Sequence, residues 1–206
     1  MNPKILIDSI VKNLRLFIGN TFGIIQRSAF HYIIKGESSA LNRFDNPQEL
    51  VSVLKWFNDF WVFLEIKFKK EEKIGSKKES LINTCISLSV FQGEDGDKEK
   101  NQLFRAEWDD YNNSDENHAQ PHWHITSSQA IENTFAKYAD AFDKQDFIEL
   151  LESEKQKVLD VKKIHFAMSA DWQAKNGEHL HKMEDEQQIV NWLQGMLTYL
   201  RFELAN

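Results

Sequence analysis

The sequence predicts an α+β fold. The expected architecture is a mostly antiparallel sheet of about five strands with an N-terminal helical hairpin, an inserted helical pair and a long C-terminal helix. Three observations predict it. Apolar and polar residues alternate with period two in segments that follow one another closely, at 61–70, 81–91 and 103–111. Short polar stretches separate these segments, as antiparallel connections require. Both ends of the chain instead carry apolar residues at helical spacing.

In chain order, Ile7, Ile10, Val11, Leu14, Phe17 and Ile18 form a helical stripe that Gly19 and Asn20 stop. Residues 22–35 read as a second helix ending at Gly36, so the two would pair as a hairpin. Asn46, Pro47 and Glu49 supply an N-cap, a proline for the first turn and a capping-box carboxylate, which predicts a helix to about Asn58. The first strand then sets Val62, Leu64, Ile66 and Phe68 against Glu65 and Lys67. The charged stretch 69–80 turns into a second strand with Ile82, Ile86, Leu88 and Val90 on one face. After a polar loop at 92–101, a third strand puts Phe104, Ala106 and Trp108 opposite Arg105, Glu107 and Asp109. A fourth strand over 120–125 puts Trp123 and Ile125 opposite His122 and His124, and Pro121 confines itself to the strand start or an edge. Residues 129–160 read as two helices, 162–168 as a fifth strand presenting His165 opposite Ile164 and Phe166, and 184–204 as an amphipathic closing helix. The whole reads as one domain over 1–206, with 1–45 as a helical extension on a sheet-containing core at 46–206.

Composition narrows the function classes. With 41% hydrophobic and 28% charged residues the chain is neither collagenous nor wholly disordered. A formal charge of −7 argues against an autonomous duplex-binding domain. One cysteine, Cys85, rules out an intrachain disulfide and a cysteine-based zinc cage, and fits a reducing cytoplasm. The N-terminal segment has no uninterrupted apolar stretch of signal-peptide type, and no run approaches the ~20 apolar residues of a membrane span. No nucleotide P-loop, dinucleotide fingerprint, EF-hand or serine nucleophile elbow occurs.

One constellation stands out. Of the seven histidines, His118, His122, His124, His165, His179 and His181 fall in the second half of the chain, and four of these form two H-x-H pairs. On a strand, alternate residues project from one face about 7 Å apart. Metal chemistry needs nitrogen and oxygen donors converging from several segments. His122 and His124 from one strand, His165 from another, and Glu107 or Asp109 from a third meet that requirement if their faces coincide, and His118 reaches the same rim. A divalent ion such as zinc is the expected cofactor, with Arg105 beside it to take an anionic substrate.

The stretch PHWHIT (121–126) resembles part of the histidine-triad hydrolase signature, in which three histidines alternate with apolar residues. That family cleaves nucleotide phosphoester and phosphoramidate bonds, with the middle histidine as nucleophile. His122 and His124 match the first two histidines, and Thr126 stands where the third should be. The match covers six residues of 206, and the predicted helical extension and insertion have no counterpart in that compact family, so the chain is not assigned to it.

Two functions fit this sequence. One is a non-catalytic accessory subunit of an intracellular bacterial-type assembly, docking a larger partner such as an ATPase or nuclease, or a second copy, through its aromatic terminal helices. The other is a metal- or histidine-dependent hydrolase of a phosphoester, nucleotide or nucleic-acid substrate, built on the histidine face. Nucleic acid would reach either one through a partner or through the lysines at 67–78, and no membrane is expected.

Overall fold

The computed structural model describes residues 2–72, 80–110, 121–125 and 183–205, with backbone alone at 70–72 and 80–82. Helix α1 (Pro3–Ile18) begins where Asn2 Oδ1 accepts from the Lys4 amide at 3.0 Å and Pro3 takes the first turn. It ends at Gly19, whose φ of 141° lets its amide return to the Arg15 carbonyl at 3.0 Å. Leu6, Ile10, Leu14 and Ile18, each one turn apart, form its buried line.

The next two predicted helices are strands. Residues 22–35 form the hairpin of β1 (Ile24–Ser28) and β2 (His31–Ile34), so the N-terminal helical hairpin does not exist. The segment holds four isoleucines plus Phe30 and Tyr32, residues that suit a pleated surface. β2 also pairs with a strand some thirty-four residues on, a long-range partner that local periodicity cannot reveal (His31 opposite Lys67). Likewise 46–58 is not a helix. Asn46-Pro47 is a cis peptide in a connection, and β4 (Glu49–Phe57) follows, paired with the short β3 (Ser38–Asn42). Gly36 passes so close to β4 that a Cβ there would stand 2.4 Å from Ser52 Oγ and 2.6 Å from its backbone.

The predicted strands hold with wider bounds, as β5 (Phe60–Glu72), β6 (Ser80–Gln92), β7 (Asn101–Asp109) and β8 (His122–Ile125). All pairings are antiparallel, in the order β1-β2-β5-β6-β7-β8, with β4 on the start of β5 and β3 outside β4. Eight strands are thus described, not about five, and the two helices described are α1 and α2 (Glu186–Ala205). The inserted helical pair at 129–160 and the strand at 162–168 lie outside the described residues.

The sheet has two unlike faces. Val62, Leu64 and Ile66 line up across β6 and β7 with Val90, Leu88, Ile86, Phe104, Ala106 and Trp108. These join the buried lines of α1 and α2 in one apolar core. The opposite face carries Glu65, Lys67, Cys85, Ser87, Ser89, Arg105, Glu107 and Asp109 in matching register. Part of it is covered by the chain leaving β3: Gln102 accepts from the Arg43 amide at 2.7 Å and donates to Asn42 at 3.0 Å. No described helix is long and apolar enough to cross a membrane.

Candidate metal centre

The β7 and β8 register sets Glu107 opposite His122 and Arg105 opposite His124. Because side chains alternate along both strands, Ala106 and Trp123 turn to the apolar core and these four turn to the polar face. The two imidazoles tilt towards each other, ring centroids 4.8 Å apart and planes at 72°. Their Nε2 atoms come to 3.0 Å. Glu107 Oε2 lies 2.9 Å from His124 Nε2 and 3.2 Å from His122 Nε2. Three potential ligand atoms from two strands therefore form a nearly equilateral triangle.

Protons alone do not satisfy such a triangle. Each imidazole places at most one proton on Nε2, and the ionised carboxylate places none. If both imidazoles donate to Oε2, their N–H groups oppose each other at 3.0 Å. If His122 donates to His124, the His124 lone pair faces the carboxylate at 2.9 Å. A single cation satisfies all three edges. Glu107, His122 and His124 would hold such an ion, which would supply Lewis-acid chemistry there.

The carboxylate is fixed from behind. Glu107 Oε1 meets Arg105 Nε at 2.9 Å, and Arg105 Nη1 meets Asp45 Oδ1 at 2.6 Å. The other oxygen of Asp45 accepts from Asn42 at 2.6 Å. Phe44 lies 5.5 Å from the His124 ring and its face lies 5.5 Å from the Arg105 guanidinium. The segment after β3 thus clamps the group with one ion pair and one ring. Burial by itself would push the Glu107 carboxyl up, but the His122 hydrogen bond, the Arg105 charge and His124 together hold it down at about 2. It is ionised and ready to ligate throughout the ordinary pH range.

The structure brings Glu107, His122 and His124 together. Arg105 adjoins them, but its side chain is only 10% exposed and its charge is committed to two carboxylates. It positions Glu107 instead of standing free for an anionic substrate. Asp109 shares the face one alternation further along β7, opposite Cys85. His118, His165, His179 and His181 lie outside the described residues. Sequence reasoning missed Phe44 and Asp45, because FDNP read as the approach to a helix and no periodicity marks a loop residue that folds over a sheet. It also missed His31, assigned to a helix, whose Nε2 lies 2.7 Å from Glu65 Oε1 on the same polar face. Alternation puts Glu65 on the polar face of β5, but only the long-range pairing of β2 with β5 brings His31 to it.

No protein-family model, no curated protein and no solved structure matches this chain. The partial histidine-triad stretch at 121–126 is carried no further.

Proposed function

We propose that this protein is a metal-dependent hydrolase of phosphoester substrates, with one divalent transition ion held by Glu107, His122 and His124. The observation that carries the reading is the closed triangle of Nε2, Nε2 and Oε2, which a cation satisfies and protons do not. Two imidazoles and a carboxylate suit zinc and its neighbours. Among the described residues three donors converge, and a divalent ion held by these alone would have room for a water and a substrate oxygen, as in catalytic sites. A divalent ion held by these three residues would supply Lewis-acid activation of water for attack on the phosphoester. Asp109, on the same face and the same strand, is the candidate general base. The clamp of Asp45 and Arg105 is the outer support that such ligands commonly have.

The test is the metal content of purified protein and of a His122→Ala/His124→Ala variant, with hydrolysis of bis(p-nitrophenyl) phosphate measured on both. Near-stoichiometric metal is expected in the parent, falling to about a tenth or less in the variant, with hydrolysis lost in parallel. A parent that binds no zinc, manganese or iron when these are supplied would end the reading.

The accessory-subunit reading has its own supporting observation. Leu16 of α1 is 88% exposed and Phe202 of α2 is 67% exposed, large apolar side chains on the two terminal helices. Trp192 and Tyr199, by contrast, pack partly against the core. In this reading the exposed pair docks a larger partner or a second copy. Concentration-dependent self-association by light scattering, abolished in Leu16→Glu/Phe202→Glu, supports the second-copy form, and capture of a partner lost in the same variant supports the other. A monomer that captures nothing counts against both.

A further inference from the structure

Helix α1 turns Leu6, Ile10, Leu14 and Ile18 inward, and Gln194 of α2 donates to its Asn13 carbonyl at 3.4 Å. Its outer side carries a second line. Ile5, Asp8, Lys12 and Leu16 are all exposed there, at spacings of three, four and four residues. Ile5 and Leu16 are separated by about three full turns, so they project in nearly the same direction, about 16 Å apart along the axis. Asp8 and Lys12 lie between them on the same strip.

This strip is left over when the chain has packed on itself. Ile5 is 56% exposed, and Leu16, at 88%, is the most exposed large apolar side chain among the described residues. Asp8 and Lys12 stand one turn apart, yet neither forms an ion pair among the described residues. Arg15 is drawn off the strip, its Nε donating to the Phe22 carbonyl at 3.2 Å. Lys4 stands in the first turn, where there is no acid, at the end that the helix dipole makes unfavourable for a cation.

The order of the strip is its own complement. From the N-terminus it runs apolar, acid, base, apolar. A second α1 laid antiparallel about a two-fold axis beside residue 10 sets Ile5 against Leu16 and Asp8 against Lys12, and repeats both contacts the other way round. Lys4 then lies beside the last-turn carbonyls of the second copy, where the dipole favours a cation. A parallel pair would instead set acid on acid and base on base.

We propose that the outer strip of α1 docks a second copy of this chain, antiparallel, through reciprocal Ile5 to Leu16 contacts and Asp8 to Lys12 ion pairs. The proposal rests on the second-copy form of the accessory-subunit reading and fixes its surface and register. An interface built on one helix per copy falls short of the roughly 1,200 Å² of stable complexes, so the dimer is a weak one that dissociates on dilution.

The experiment is sedimentation equilibrium of the full chain from micromolar to millimolar concentration, with a chelator present so that no metal links the copies. The parent is expected to pass from monomer to dimer over this range. Asp8→Lys and Lys12→Asp each bring like charges together twice, and each is expected to weaken association about tenfold. The exchange Asp8→Lys/Lys12→Asp reverses both pairs and is expected to restore it, which a role for either residue within one chain would not produce. Ile5→Glu is expected to weaken association as strongly as the single reversals. Circular dichroism checks that each variant is folded. A parent that stays monomeric throughout overturns the proposal together with the second-copy form of the reading beneath it. A parent that dimerises undiminished by the single reversals, or an exchange variant that stays dissociated, overturns the proposal alone and leaves that reading to another surface.

Discussion

Two carboxylates on the same sheet face, two strands apart, are each met by histidine, yet their surroundings are built differently. Glu65 gives one oxygen to His31 at 2.7 Å and the other to Lys67 at 2.8 Å. Each contact is one donor on one acceptor, and protons complete it. Glu107 gives one oxygen to Arg105 and turns the other to two imidazoles that also meet each other. The same residue types therefore make an ordinary ion-pair group in one place and, in the other, a three-donor group that could hold a metal ion. The difference comes from the partner strand. β8 presents two histidines two residues apart, and a separate loop brings Asp45 to hold the arginine.

The largest expected effect follows from the depth of the two basic partners. Arg105 is buried and joins two carboxylates, so Arg105→Leu leaves charge without compensation and should cost about 3 kcal/mol in urea denaturation. The Lys67 side chain is 52% exposed, so Lys67→Leu should cost about 1 kcal/mol or less. Equal losses would mean that the two centres are equivalent in structure and that the contrast drawn between them is mistaken.

A second effect is set by pH. The Glu107 carboxyl releases its proton at about 2 in the folded chain, against an ordinary value of 4.5. The depressed value contributes stability that is fully present above about 4.5 and is lost as the pH falls towards 2. Discounted for partial exposure, the contribution is on the order of 2 kcal/mol. Metal-free protein, kept so by a chelator, should therefore lose stability across that window, and Glu107→Gln should lose less of it. An unchanged acid profile in the variant would show that the histidines and Arg105 do not hold the carboxylate as their geometry implies.

The sequence made one face of this contrast legible and hid the rest. β5, β6 and β7 alternate cleanly because one face lies on an apolar core and the other does not. The α2 stripe is equally plain, with Ile189, Leu193, Met196 and Leu200 all buried. Alternation also sufficed to set Glu107, His122 and His124 on the face opposite Trp108 and Trp123. What alternation cannot supply is register, which alone puts Glu107 opposite His122 instead of a residue away. The misread helices have the same origin. Asn46, Pro47 and Glu49 form a sound capping signal, but β4 gains its hydrogen bonds from β5 and β3 and buries Val51, Val53 and Leu54. Pairing across the sheet outweighed the local preference. Asp45 was invisible for a simpler reason, since its role depends on where a loop lands sixty residues away from Arg105.

The smallest effect tests whether the two centres are independent. Cys85 lies on β6 between them, opposite Lys67 on one side and Asp109 on the other. Burial raises its thiol pKa first, and the charges of Glu107, Asp109 and Glu65 add to this against the opposing charge of Lys67, to about 12. At pH 8 about one thiol in 10⁴ is then ionised, so native protein should react with a disulfide reagent far more slowly than the unfolded chain. Cys85→Ser should change zinc affinity by less than about twofold, because a thiol this reluctant to ionise is a poor ligand. A large loss of zinc in Cys85→Ser would instead make Cys85 a ligand, join the two carboxylates through it, and replace the picture of two separate centres with one extended site.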